Sequence, residues 1–216
     1  DCWHDATGTC PTAPCDDHGH GTMVMGVVVA DDDPTLPYNV GVAPDAQWIA
    51  CKACTAGGSC SEANLHECAA WLLAPNGDPA NRPHVITVSL GGTWCDSWFS
   101  GDIQMWRAAG IYPTIAPGGS GPGCGTIGSP ADYPEVLATG ATDQNDHVSA
   151  FSARGPSCFG SIKPEVVAPG IDIRSTIPPN DWSVWSGTSL SSPHSAGVAA
   201  LIWSAYIGAD GDGPVL

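Results

Sequence analysis

The sequence predicts an α/β fold, with a mainly parallel sheet lying between layers of helices. Two observations carry that expectation. Short apolar runs rich in β-branched residues alternate along the chain with longer stretches whose apolar residues recur at helical spacing. Strands interleaved with helices build βαβ units, which need a parallel sheet covered on both faces. In addition, a histidine turn and a serine turn, each rich in glycine, open directly into helical stretches. In sheets of this kind such turns gather at the C-terminal ends of the strands, where sites form.

The elements follow in order. After His20, the spacing of Met23, Val24, Val27 and Val28 predicts a helix. Residues 48–53 read as a strand. Ser59 and Glu62 form a capping box ahead of a helix through Leu65, Ala69, Leu72 and Leu73. The Pro/Asn/Gly/Asp-rich run 75–83 is a loop. Val85-Ile86-Thr87-Val88 is a short buried strand, followed by a helix over 103–109 and a strand over 111–116. Later strands fall at 136–141 and 166–168, and a helix from Ser189 closes the pattern. No repeat is visible, and residues 1–216 read as one domain.

Charge and cysteine content bound the function. Twenty-two acidic residues against six basic ones give a net charge of −16. Nucleic-acid binding needs a Lys/Arg footprint and anionic membranes repel such a surface, so neither partner is expected. The charge speaks to solubility. Asp31-Asp32-Asp33 offers oxygen ligands of the kind calcium takes, but no complete ligand loop is present. A solvated turn before Pro34 fits better; structural calcium is not readable, and no cofactor is expected.

Ten cysteines, an even number, imply disulfides formed in an oxidising, extracellular compartment. Cys51, Cys54, Cys60 and Cys68 include a Cys-x-x-Cys, yet a zinc ribbon would need a second, similarly spaced pair. Disulfides are therefore expected there, and ten cysteines leave the connectivity open. No stretch approaches the ~20 apolar residues of a membrane span. The chain starts Asp1-Cys2-Trp3-His4, with neither an initiator methionine nor a signal peptide. It reads as a processed or excised piece of a longer precursor.

The chemistry resides in two segments. In Gly187-Thr188-Ser189-Leu190-Ser191-Ser192-Pro193-His194, a glycine turn delivers a serine to the start of an apolar helix. Such a serine is ordinarily an N-cap. The same geometry also presents a nucleophile to the positive end of the helix, with backbone N–H groups ready for an oxyanion. Far upstream, Asp16-Asp17-His18-Gly19-His20-Gly21-Thr22 sets His20 between glycines. A serine hydroxyl needs a base within hydrogen-bond reach, and histidine titrates in the useful range.

These segments resemble the histidine and serine motifs of the subtilases, the subtilisin-like serine peptidases, and among them most of all the bacillopeptidase-F-like members. Further matches run in the same order: Val42-Ala43-Pro44, Ser89-Leu90-Gly91-Gly92, Tyr133-Pro134-Glu135, Phe151-Ser152 with Gly155-Pro156, and Lys163-Pro164-Glu165 with Ala168-Pro169-Gly170. The resemblance implies the subtilisin-like three-layer fold and a secreted endopeptidase acting through an acyl-enzyme. It implies Ser189 as nucleophile and His20 as general base. Ser89, Leu90, Gly91 and Gly92, with Gly118, would pair an extended polypeptide substrate. The Ser189 N–H would serve the oxyanion hole. His194 would be a structural helix residue, and His18 an exposed loop residue. His4, His66, His84 and His147 match no motif and read as surface or satisfied polar groups.

Two positions depart from the pattern. The family's triad aspartate ends a strand well upstream of the histidine motif, and only nineteen residues precede His20 here. Residues 3–14 resemble the family's loop between those elements, with Asp5 in the position of a loop acid, and neither Asp16 nor Asp17 replaces the triad residue. The chain is therefore expected to be a truncated catalytic domain lacking a central strand, with an upstream segment as the partner that would complete the sheet. Second, Ala116-Pro117-Gly118-Gly119-Ser120 aligns with a family segment that has asparagine where Gly119 stands, so a side-chain donor of the oxyanion hole is lost. In subtilisin itself, losing that asparagine lowers kcat by about 10²–10³, and losing the aspartate by about 3 × 10⁴. Impaired catalysis is the expectation. The alternatives are a pseudoenzyme that binds peptides or partner proteins without cleaving them, and a purely structural disulfide-stapled domain.

Overall fold

The computed structural model describes residues 2–31 and 40–210, so Asp32 and Asp33 of the acidic turn lie outside the described residues. In chain order the elements are β1 (Trp3–Asp5), α1 (His20–Val29), β2 (Ala50–Lys52), α2 (Glu62–Leu73), β3 (Val85–Val88), α3 (Ser100–Ala108), β4 (Tyr112–Ile115), β5 (Leu137–Thr142), β6 (Val166–Pro169), β7 (Ile173–Ile177), β8 (Asp181–Trp185) and α4 (Thr188–Asp210).

The strands β3-β4-β5-β6 form one sheet in that order, parallel throughout. Alternation along these strands sorts two faces. Ile86, Ile115 and Ala138 point into a core with Ile103 and Trp106 of α3 and Ala69 of α2. Their neighbours Thr87, Thr114 and Thr139 meet hydroxyls of α4: Thr87 and Thr114 lie 3.4 and 3.5 Å from Ser192 Oγ, and Thr139 Oγ1 lies 3.0 Å from Ser195 Oγ. The result is three layers, with apolar packing on one face of the sheet and small hydroxyl residues on the other. α1 packs near α4 through a second cluster, Met23, Val27 and Leu190, closed by Ile173, Ile177 and Trp185 of the antiparallel β7-β8 hairpin.

β2 does not join the main sheet. It pairs in parallel with β1, through Trp3↔Ala50, His4↔Cys51 and Asp5↔Lys52, and among the described residues no ladder links β2 to β3. The family resemblance implied a missing central strand without saying which strands would flank it; among the described residues the interruption in pairing lies between β2 and β3.

The structure corrects three local expectations. Residues 3–5 are a strand rather than a loop; Trp-His-Asp is too short and polar for a period to show, and the bonds Ala50 N–H to Cys2 O (2.9 Å) and Ala6 N–H to Lys52 O (3.0 Å) define it. The cap of α2 is Ser61, whose hydroxyl accepts from Asn64 N–H at 3.2 Å. Ser59 is instead held in the Cys54–Cys60 disulfide loop, where its carbonyl accepts from Thr55 N–H. The 75–83 run also contains two single-turn 3₁₀ helices, Pro75–Gly77 and Pro79–Asn81, each started by a proline whose fixed φ suits a first helical position. Disulfides join Cys10–Cys15, Cys51–Cys68, Cys54–Cys60 and Cys95–Cys158, so the four-cysteine cluster pairs as disulfides. Cys2 and Cys124 are unpaired and exposed.

Candidate active site

Ser189 sits in the first turn of α4, after a Gly187 whose N–H donates to Gly170 O at 2.7 Å. Pro193 lies inside this helix and has no N–H to give. The carbonyl four residues earlier, that of Ser189, therefore has no donor from its own helix. The Ser89 hydroxyl fills that place, donating to Ser189 O at 2.9 Å, while Ser189 Oγ donates back to Ser89 O at 3.4 Å. The serine is thus tied at both ends to the segment that leaves β3. Further down, Ser191 Oγ lies 3.0 Å from Thr139 O and fixes the turn onto β5.

Around this pair lies a cleft of about 350 Å³. Of the residues named from sequence, Ser89, Leu90, Gly91, Gly118, Gly119 and Ser189 all line it. Gly92 lies just beyond, its N–H bonded to Ser129 O at 2.8 Å. Gly118 has φ +98, a conformation that favours glycine, and a Cβ at Gly119 would meet open space. Sequence reasoning left out Ala116, Phe151, Ser186, Gly187 and Thr188 as lining residues. Ala116, Phe151, Gly187 and Thr188 belonged to segments already singled out; nothing in the sequence marks Ser186.

His20 opens α1 after Gly19, whose φ of +90 turns the chain sharply. It is half-buried and outside the cleft lining, with its ring 6.3 Å from that of Trp185 and 6.2 Å from that of His18. Burial, then the neighbouring His18, hold its pKa below the ordinary histidine value, and Asp16 partly opposes them. No hydrogen bond from the His20 ring is found among the described residues. The acids nearby are otherwise engaged. Asp16 accepts from His18, Gly19 and Thr22 N–H and from the Thr22 hydroxyl. Burial pushes the Asp16 pKa up, but these bonds together pull it lower. Asp17 pairs with the buried ammonium of Lys52. Asp5 accepts from Thr7 and Cys10 and shapes the loop after β1.

The remaining histidines have local partners or exposure. His194 Nδ1 lies 2.7 Å from Leu190 O in its own helix. His18 is exposed. His4, His66 and His147 meet Glu67, Asp102 and Asp143, and His84 stacks on Trp203. Among the described residues no group of three or more His, Cys, Asp or Glu could hold a metal ion, and no helix is long and apolar enough to cross a membrane.

Comparison with known proteins bears on this geometry. The model of the Subtilase family matches residues 4–211. Bacillopeptidase F of Bacillus subtilis (strain 168) is 41% identical over 211 residues, covering 93% of this chain and 14% of the relative. Subtilisin DY of Bacillus licheniformis is 37% identical over 193 residues, covering 88% of this chain and 65% of the relative. Serine protease AprX of B. subtilis (strain 168) is 34% identical over 219 residues, covering 88% and 50%. The chain spans less than two thirds of the length of each of these relatives.

Proposed function

The chain belongs to the Subtilase family, and on that premise we propose that it is a single catalytic domain of a secreted serine endopeptidase. The observation that carries the reading is the reciprocal Ser89–Ser189 bonding beside the cleft, at the start of a long helix. An extended peptide lying along 89–92 brings its carbonyl carbon to Ser189 Oγ. His20 takes the hydroxyl proton as the C–O bond forms, and the oxyanion accepts from the Ser189 N–H at the positive end of α4. His20 then gives the proton to the leaving amine, the C–N bond breaks, and water releases the acyl group by the same steps in reverse. The residues carry this acyl transfer without a cofactor. Four disulfides support an oxidising, extracellular setting.

Full activity requires a carboxylate to orient His20, since Asp5, Asp16 and Asp17 have other partners. We propose that an upstream strand, entering between β2 and β3, supplies it; the unbridged edges of those strands support this. A second reading is favoured by Gly119, which gives the oxyanion no side-chain donor: a subtilase fold that binds peptides or partner proteins without cleaving them. A fluorophosphonate probe separates the two. Phosphonylation of the wild-type chain that disappears in both Ser189→Ala and His20→Ala supports the peptidase. Peptide binding with no modification of Ser189 supports the binding protein and sinks the enzyme.

A further inference from the structure

The segment after β3 that lines the cleft runs into a loop, 92–99, whose conformation is forced. Cys95 has φ +65, in the left-handed region that costs a non-glycine residue energy. Strain of this kind persists only where the surroundings hold it. Here the hold comes from the segment 129–133. Ser129 O accepts from Gly92 N–H at 2.8 Å, Ser129 N–H donates to Thr93 O at 3.0 Å, and Ser129 Oγ accepts from Asp96 N–H at 2.8 Å. The Cys95 N–H itself donates to Asp132 Oδ2 at 3.1 Å, and the Ser129 hydroxyl donates to the same oxygen at 3.0 Å. Asp132 is fully buried, and among the described residues its Oδ1 has no hydrogen-bond partner.

A carboxylate buried with one oxygen unsatisfied destabilises the fold unless its other oxygen does something valuable. That oxygen meets the strained residue. We propose that Asp132 is a positioning residue for peptide binding: it holds Cys95 in its left-handed turn and so fixes the edge 89–92 in the extended form that an incoming peptide pairs with. Asp132 touches neither the nucleophile nor the cleft; it acts through the loop. The Cys95–Cys158 disulfide adds a second tether to the same residue. Burial raises the Asp132 pKa against the opposing bonds from Ser129 and Cys95. The proposal rests on the endopeptidase reading for its substrate, an extended polypeptide.

The test compares Asp132→Ala and Asp132→Asn with the wild-type chain by two readouts: fluorescence polarisation of a labelled extended peptide, and the rate of Ser189 phosphonylation by a small fluorophosphonate. Loss of the bonds to Oδ2 in Asp132→Ala should weaken peptide binding about tenfold, with phosphonylation unchanged within about twofold. Asp132→Asn should keep wild-type affinity, because its amide oxygen accepts the same two bonds. Should Asp132→Ala fail to fold, Ser129→Ala removes a donor to Oδ2 and the acceptor of Asp96 N–H, and should show the same split. The proposal is overturned if the folded alanine variant binds peptide normally, if peptide binding and phosphonylation fall together, if the asparagine variant loses affinity too, or if the wild-type chain binds no peptide. A wild-type chain that binds peptide but resists phosphonylation sinks the enzyme reading alone, and the polarisation arm still decides the role of Asp132.

Discussion

The surroundings of Ser189 and of His20 are built differently. Ser189 stands over a continuous parallel sheet, its helix pinned to three strands by hydroxyl contacts and its carbonyl bonded to Ser89. His20 stands on a helix that is equally well anchored as backbone: Ser175 Oγ donates to Met23 O at 2.8 Å, Thr176 Oγ1 to Thr22 O at 3.1 Å, and Asp16 holds the turn before it. Yet the ring itself rests against Trp185 and His18 with no acceptor to orient it among the described residues. On that side the sheet is also interrupted, because among the described residues β1 and β2 pair only with each other. Placing a residue and aiming its ring are therefore separate tasks. The serine side accomplishes both within the chain, and the histidine side only the first.

The most decisive way to break this contrast is to supply what the histidine side lacks. A segment with a strand ending in aspartate, fused upstream or added as a peptide, should raise casein hydrolysis by about 10⁴-fold, the scale of the aspartate's contribution in subtilisin. Full hydrolysis by the 216-residue chain alone would mean that Asp5 or Asp17 leaves its present partner to orient His20. On the serine side, Gly119→Asn meets open space and should fold normally. By itself it should change the rate little; with the aspartate strand it should add about 10²-fold. A large gain from the single change would show that histidine orientation is not limiting.

Smaller effects separate the sides by pH and by packing. Phosphonylation of Ser189 should depend on neutral His20 and reach half its plateau below pH ~6.5, because burial depresses that pKa. A midpoint above 7 would contradict the described environment. Stability has a matching sign. His20, His84 and His194 are all depressed, mainly by burial, so the folded state binds their protons less readily than the unfolded one. The melting temperature should hold above about pH 6.5 and fall as pH drops through and below it. Finally, a Cβ at Gly26 would lie 2.3 Å from Ser175 Oγ and Thr176 Oγ1. Gly26→Ala should cost about 1–3 kcal/mol by overpacking and lower Tm by several degrees, disturbing the seat of His20 while peptide binding at 89–92 is retained. Equal loss at both sites would show that the two sides move as one.

Much of this was legible in the sequence for reasons that differ by element. β3, β4 and β5 showed because largely buried parallel strands are apolar runs, β6 because Val166-Val167-Ala168 is apolar although mostly exposed, and α1 and α4 because glycine turns precede helical spacing. β1 escaped notice because three residues carry no period, and the β7-β8 hairpin because Ile-Arg-Ser-Thr-Ile and Asp-Trp-Ser-Val-Trp carry no clean two-residue alternation, although Pro178-Pro179-Asn180 marks the turn between them. The capping residue of α2 was misread by two positions, since a disulfide loop claims Ser59 and sequence spacing does not see that closure. In the site, the serine, its facing strand and the 118–119 loop were named from motif. The Ser89–Ser189 exchange and the role of Pro193 in permitting it were not, because an orphaned carbonyl is visible only once the helix exists.

The edges of β2 and β3 that no ladder bridges among the described residues bear also on how copies of this protein behave toward one another. An unpaired strand edge is a template on which another molecule can add a strand. Each copy carries a net charge of −16, so neighbours repel before their edges meet. That repulsion reaches about 30 Å at 0.01 M salt and only about 3 Å at 1 M. Colloidal stability is thus set by ionic strength: dilute buffer keeps the molecules dispersed, and concentrated salt lets exposed edges find each other, so light scattering should climb with salt while each copy remains folded.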